Sequence, residues 1–212
     1  IRLLDGRWKF RLFPSPSAVP EDFPRPDFAD GDWALITVPG NWELQGYDKP
    51  IYTNMPYPFR FDDPRARHGL PLEQTPREPW GAALVPRPPL VPETNPTGCY
   101  RTEFTIPRDW RGRRVLIHFG AVESAGYIWL NGEPVGYTQD SKLDAEFDLT
   151  AFIRPGKNTL AVQVMRWSDG TYLEDQDYWH LSGIQRSVFL MAKPEAGIRD
   201  FKIRATLDEQ CR

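Results

Sequence analysis

An all-β fold is what this sequence predicts, a two-sheet antiparallel β-sandwich with a jelly roll as its specific form. Three observations point there. Short segments alternate apolar and polar residues with period two. An Asn-Gly pair sits between two apolar runs, the strongest short hairpin signal because both residues tolerate positive φ. Turn residues separate many short strand-like runs, while helical periodicity is nearly absent, and that combination belongs to sandwiches.

In chain order, "RWKFRLF" (7–13) places Trp8, Phe10 and Leu12 on one face and Arg7, Lys9 and Arg11 on the other. Residues 14–33 are punctuated by proline and acids and read as loop. Residues 59–92 carry eight prolines and several arginines with little apolar pattern, and read as a long surface excursion. "YRTEFTI" (100–106) alternates again, with Tyr100, Thr102, Phe104 and Ile106 inward. "RRVLIHF" (113–119) follows a Trp-Arg-Gly turn, and "GYIWLNGEPVGY" (126–137) is a hairpin about Asn131-Gly132. The single helical signal is Asp148, placed to cap a short turn "LTAFI" that Pro155-Gly156 ends. "NTLAVQVMRW" (158–167) and "RSVFLMA" (186–192) are the remaining strands, and "AGIRDFKIRATL" (196–207) reads as a linker followed by the first strand of another domain.

Composition narrows the function classes. The 212 residues suffice for one well-cored domain, or one plus a fragment, and the abrupt ends suggest a piece of a longer polypeptide. The net charge of -3 with no basic run argues against nucleic acid. No apolar run approaches 18 residues, which argues against a membrane span. Cys99 and Cys211 lie far apart and read as free thiols of a reducing, cytoplasmic compartment. His68, His118 and His180 are scattered, His118 reads as structural, and no metal-ligand cluster, phosphate loop or nucleophile elbow appears.

Two stretches carry chemistry. "DGTYLEDQDYWHLSGIQR" (169–186) packs Glu174, Asp175 and Asp177 among aromatic rings. A glycosidase needs two carboxylates opposed across a scissile bond, and such pairs come from different strands of a scaffold, not one short loop. Glu174 and Asp175 therefore read as solvated or backbone-bonded. Asp177, followed at once by Tyr178 and Trp179, suits either a polar loop or a ligand of sugar hydroxyls or a hard cation. "NWELQGYDKPIYTNMPYPF" (41–59) contains Asn54, whose amide suits a sugar hydroxyl or simply forms a turn.

Five strings, "DGRWKF", "PGNWELQGYDKPIYTN", "NPTGCYRTEF", "GYTQDSKLDAEFDLTAF" and "RWSDGTYLEDQDYWHLSGIQRSVFL", together resemble the N-terminal domain of glycoside hydrolase family 2 β-galactosidases. The resemblance covers nearly the whole chain outside 60–90. It implies a jelly-roll sugar-binding domain over 1–194, with a Pro/Arg-rich insertion at about 60–92, then a linker and the truncated start of an immunoglobulin-like domain over 195–212. It implies that both catalytic glutamates of this retaining enzyme and a catalytic Mg²⁺ belong to a barrel domain absent here, so this chain holds no catalytic residue. Asn54 would contact galactose, Asp177 would bind galactose and a Na⁺ beside its 6-hydroxyl, and Met55 would lie toward the leaving group. The parent would hydrolyse terminal β-D-galactosides as a homo-oligomer. One departure is the 35 residues between Phe59 and Asn95, where the family has a short link. Other readings are a free-standing carbohydrate-binding module, or the same domain of a family 2 β-glucuronidase or β-mannosidase. The pairing of "IYTN" with "EDQDYW" argues for the galactosidase.

Overall fold

A computed structural model describes residues 1–54, 58, 88–198 and 200–207. The period-two segments become strands. In chain order, those of the described residues are β1 (Arg2–Leu3), β2 (Gly6–Phe13), β3 (Ala34–Val38), β4 (Gly40–Asn41), β5 (Ile51–Thr53), β6 (Thr97–Thr105), β7 (Arg114–Phe119), β8 (Val122–Glu123), β9 (Ala125–Leu130), β10 (Glu133–Gln139), β11 (Ala145–Asp148), β12 (Lys157–Met165), β13 (Tyr178–His180), β14 (Gly183–Ile184) and β15 (Val188–Lys193). One sheet runs β10-β9-β12-β6-β2-β3 and the other β1-β15-β7-β11, with every pairing antiparallel. The fold is an antiparallel β-sandwich, as the alternation predicts.

The core lies between the two sheets. Trp8, Phe10, Tyr100, Ile128, Leu160 and Val162 project from the larger sheet, and Ile117, Phe119, Val188 and Leu190 from the smaller. Each is buried, and removing such a side chain from water contributes roughly 1.5–3 kcal/mol. The outer face of the larger sheet is covered as well. Residues 14–33 are a loop, but Phe23 and Trp33 lie against Cys99 and Ala161. Arg101, on that face, is buried because Nε donates to Asp30 at 2.7 Å and Nη1 to the Arg25 carbonyl at 3.1 Å. In β6 only Tyr100 and Phe104 of the expected inward set are fully buried. Thr102 and Ile106 are half-buried.

The Asn-Gly hairpin forms, with φ 56° at Asn131 and 87° at Gly132. Asn131 does more than turn the chain. Its Nδ2 donates to the Phe152 carbonyl at 3.0 Å and to Asn158 Oδ1 at 2.8 Å, and its Oδ1 accepts from the Thr159 amide at 3.0 Å. Asp148 caps its turn as expected, accepting from the Thr150 amide at 3.0 Å, and the segment stays a turn.

Several elements have no counterpart in the periodicity. β3, β5, β11 and β13 are three to five residues long and mostly half-exposed, too short for alternation to register. Residues 43–45, 108–110 and 169–172 wind into single 3-10 turns. Residues 194–198 and 200–207 are exposed and carry no strand, so the first strand expected within 196–207 is not formed among the described residues. Cys99 is a free, fully buried thiol whose pKa burial pushes up, whereas Cys211 and most of the 60–92 insertion lie outside the described residues. Among the described residues no helix is long and apolar enough to cross a membrane.

Gly98 is closely packed within the core. A Cβ there would stand 2.7 Å from Trp42 and 2.8 Å from Phe10, rings that are themselves buried. Gly98→Ala should therefore overpack the core by about 1–3 kcal/mol. A thermal melt should show a fall of roughly 2–10 °C for a chain this size. Gly31→Ala, which meets nothing within 4 Å, should leave the melt unchanged.

Candidate functional site

The two stretches singled out from the sequence meet as a two-stranded ribbon. β5 pairs with β13 in the register Tyr178↔Thr53, Trp179↔Tyr52 and His180↔Ile51. Alternation gives the ribbon two unlike faces. On one, Tyr52 and Trp179 are exposed with ring centroids 5.6 Å apart, and Tyr52 Oη donates to Asp177 Oδ1 at 2.6 Å. On the other, Thr53 Oγ1 and His180 Nε2 share a hydrogen bond of 2.8 Å, and His180 is buried. Asn54 follows Thr53 directly and is exposed, as is Asp177 across the ribbon. Asn54 and Asp177 are thus brought to one end of one element. Met55 lies outside the described residues.

Beneath the ribbon lies a buried ion cluster that sequence reasoning does not find. Arg166 leaves the end of β12 with its side chain buried. Its Nη2 donates to the Lys49 carbonyl at 2.9 Å and the His180 carbonyl at 3.4 Å, and its Nη1 pairs with Asp48. One guanidinium therefore holds the lead-in to Asn54 and the lead-out from Asp177. Glu43 stands 3.8 Å from Arg166, and both its carboxylate oxygens accept from the Ser182 amide, at 3.1 and 2.9 Å. Burial raises the Glu43 pKa, against the opposing pull of the Ser182 hydrogen bond and of Arg166. Gln45 fixes the same segment to β3, accepting from the Thr37 amide at 2.8 Å and donating to its carbonyl at 3.1 Å. The only sequence signal was a lone arginine closing the apolar run "LAVQVMRW".

The remaining carboxylates have separate partners. Glu174 accepts from the Ser141 amide at 2.7 Å and its hydroxyl at 2.6 Å, and so anchors the loop. Asp175 is half-buried, lies 3.9 Å from His180 Nε2, and has its pKa raised by burial. Glu123, buried on β8, pairs with Lys142 and accepts from Gln185, and burial raises its pKa. Each of these acids has its own hydrogen-bond or ion-pair partner. Burial first, then the charges of Arg166 and Lys142, hold the His180 pKa down at about 4. Asn95 joins the chain beyond the insertion to this region, exchanging hydrogen bonds of 2.9 Å with both backbone groups of Trp167. His118, stacked on Phe189 at 4.4 Å within the smaller sheet, stands on a strand as expected.

A sodium ion prefers several oxygen donors. Asp177 offers one exposed carboxylate, and among the described residues no group of three acids, histidines or cysteines gathers to hold a metal. Asp177 therefore fits one ligand of a shared cation shell, and nothing here forms a self-contained site.

The chain matches the profile described as "Glycosyl hydrolases family 2, sugar binding domain" over residues 1–75 and 83–194. It is 48% identical over 207 residues to a β-galactosidase of Psychromonas ingrahamii, covering 98% of this chain and 18% of that protein. A Vibrio cholerae β-galactosidase is likewise 48% identical over 205 residues, covering 97% of this chain and 18% of its own length. The chain thus spans about a fifth of the relatives it matches. Among solved structures, an uncultured Clostridium sp. β-glucuronidase superposes with a TM-score of 0.64 at 22% identity, over 99% of this chain and 31% of that one. A Bifidobacterium dentium β-glucuronidase gives 0.59 at 18%, over 91% and 30%. At those identities the structural likeness speaks for the fold alone.

The depressed His180 pKa sets a pH dependence. The unfolded imidazole takes up its proton near 6.5, the folded one only near 4. Its contribution to stability is therefore complete above pH 6.5 and lost as pH falls toward 4, with a slope of at most ~1.4 kcal/mol per pH unit. Melts from pH 7.5 to 4.5 should show wild type losing more stability than His180→Gln. Parallel curves would remove the histidine from the balance.

Proposed function

The chain belongs to the family 2 glycosyl hydrolase sugar-binding domains, and from that premise we propose that it is the substrate-contacting N-terminal domain of a β-galactosidase. The observation that carries the reading is the β5/β13 ribbon, which sets Asn54 and Asp177 at one exposed end over a buried ionic base. The relatives at 48% identity bear the name β-galactosidase, which favours that activity over the glucuronidases known only by fold.

In this reading Asp177 accepts hydrogen bonds from galactose hydroxyls through the oxygen not used by Tyr52, and Asn54 donates to and accepts from a neighbouring hydroxyl. Tyr52 fixes the carboxylate orientation, so less freedom is lost when sugar arrives. The same reading assigns Met55 to the leaving-group side by family resemblance alone. Asp177 would hold part of the shell of a sodium ion, which would supply positive charge to the bound sugar. Bond cleavage, the two catalytic glutamates and Mg²⁺ belong to a barrel domain supplied by the rest of the polypeptide. We set the domain boundary near Pro194, a reading supported by the profile match ending at residue 194. The parent enzyme is a cytoplasmic homo-oligomer acting on terminal β-D-galactosides.

A free-standing carbohydrate-binding module is the second reading, favoured by the exposed Tyr52–Trp179 pair. The two differ in affinity. As a donated half-site, the chain makes few contacts to galactose, and association itself costs at least ~4 kcal/mol. Calorimetry on this chain should register weak or no galactose binding, and a chromogenic galactoside should turn over only at the buffer rate. Micromolar affinity would favour the module.

In the intact parent, Asp177→Asn removes charge with little change of shape. Losing a charge-assisted hydrogen bond of roughly 1.5–3 kcal/mol should lower kcat/KM at least about tenfold. The sodium dependence of the rate should flatten. Glu174→Gln should do much less to kcat/KM, since that side chain is engaged with Ser141. Wild-type kinetics and sodium response in folded Asp177→Asn would overturn the assignment.

A further inference from the structure

The opposite end of the sandwich carries a second concavity, of about 780 Å³, that the sugar-contacting ribbon does not use. β12 spans the distance between them. It starts at Lys157, beside the cavity, and ends at Met165, next to Arg166. Nine residues at ~3.3 Å each separate the two ends by roughly 30 Å.

The lining is basic in an unusual way. Arg108, Arg111, Arg113 and Arg154 all border the cavity and all are exposed. Among the described residues none of these four guanidiniums has an ion pair or a side-chain hydrogen bond. Arg114, also on the rim, differs, because Asp148 already holds it at 2.9 and 3.2 Å. Glu195 is the one acid in the lining. Four cationic side chains border the cavity against a single carboxylate in its lining, a charge balance that favours a bound anion.

The turns that present the arginines are braced. Trp110 is buried, its amide donates to the Pro107 carbonyl at 3.0 Å, and its carbonyl accepts from Arg113 at 3.1 Å. The 149–153 turn is closed by the Phe152 and Ile153 amides donating to Leu149 at 2.9 and 3.1 Å. Guanidinium forks on such turns match the paired oxygens of a phosphoryl group. The cavity is far larger than one inorganic ion, and Ile106, Val115, Ile153 and Pro155 give it an apolar wall.

We propose that this cavity binds a phosphorylated small molecule, with its phosphoryl group on Arg108, Arg111, Arg113 and Arg154 and its carbon skeleton against the apolar wall. The site is independent of the sugar-contacting ribbon and needs none of its residues.

Calorimetry on this chain at constant ionic strength tests it, with glucose 6-phosphate, inorganic phosphate and glucose as probes. The ester should bind at least tenfold more tightly than inorganic phosphate, glucose should give no heat at this site, and a large excess of galactose should leave the ester's affinity unchanged. The double variant Arg111→Gln/Arg154→Gln should lose at least tenfold in ester affinity while melting at the wild-type temperature. Equal affinity for ester and inorganic phosphate would reduce the cavity to a bare-anion site and overturn the proposal. So would an unchanged affinity in the double variant, or displacement of the ester by galactose.

Discussion

The buried guanidinium of Arg166 is the constraint on which the end of the sandwich that carries the β5/β13 ribbon depends. It joins residues more than a hundred positions apart, Asp48 and Lys49 on one side and His180 on the other. Taking a charge out of water costs several kcal/mol unless its hydrogen bonds are returned, and removing one partner of a buried pair typically costs 3–5 kcal/mol. The Lys49 and His180 carbonyls and the carboxylates of Asp48 and Glu43 return much of that cost. The arrangement works only when both segments are in place, which makes the ribbon's register a condition of the cluster's stability. A short two-stranded ribbon is marginal alone in water. Here Arg166 ties the ribbon to the sandwich, and the Thr53–His180 hydrogen bond holds its two strands together.

Polar anchors of this kind recur around the same end. Glu43 receives the Ser182 amide, Glu174 the Ser141 amide, and Asn95 both backbone groups of Trp167. Each satisfies a loop backbone group that a sheet ladder cannot reach, and buried backbone groups left unpaired are costly. The loops are consequently fixed in shape although they contain little regular structure. Asp177 is the exception among the acids. It is exposed and turned outward, oriented by one tyrosine, and so remains available to a ligand.

The two ends of the sandwich have opposite electrostatic character. The ribbon end exposes a carboxylate, an amide and two aromatic rings, a combination suited to a neutral sugar with a cation nearby. The far end gathers unpaired guanidiniums around an apolar wall and suits an anion. The shared strands β6 and β12 are buried on both faces and rigid, and they keep the two regions apart.

The fold class was legible in the chain because alternation is a local property. Trp8 and Phe10, the Asn131-Gly132 turn and the run from Leu160 to Val164 each announce their role within a few residues. Asn54 and Asp177 could be singled out as ligand candidates by residue type and by family resemblance. Their meeting was not legible, since β5 and β13 are three residues each and pair across 125 positions of sequence, as the Tyr52–Asp177 bond measures. Nor were the duties of Arg166, Glu43 and Glu174, because the worth of a charge depends on what surrounds it and how far it is from water. The sequence by itself determined which segments alternate and where they turn. Only the tertiary structure decided which charges are buried together, which carboxylate faces solvent, and which arginines converge without a partner, because those are properties of distances between segments that no local pattern encodes.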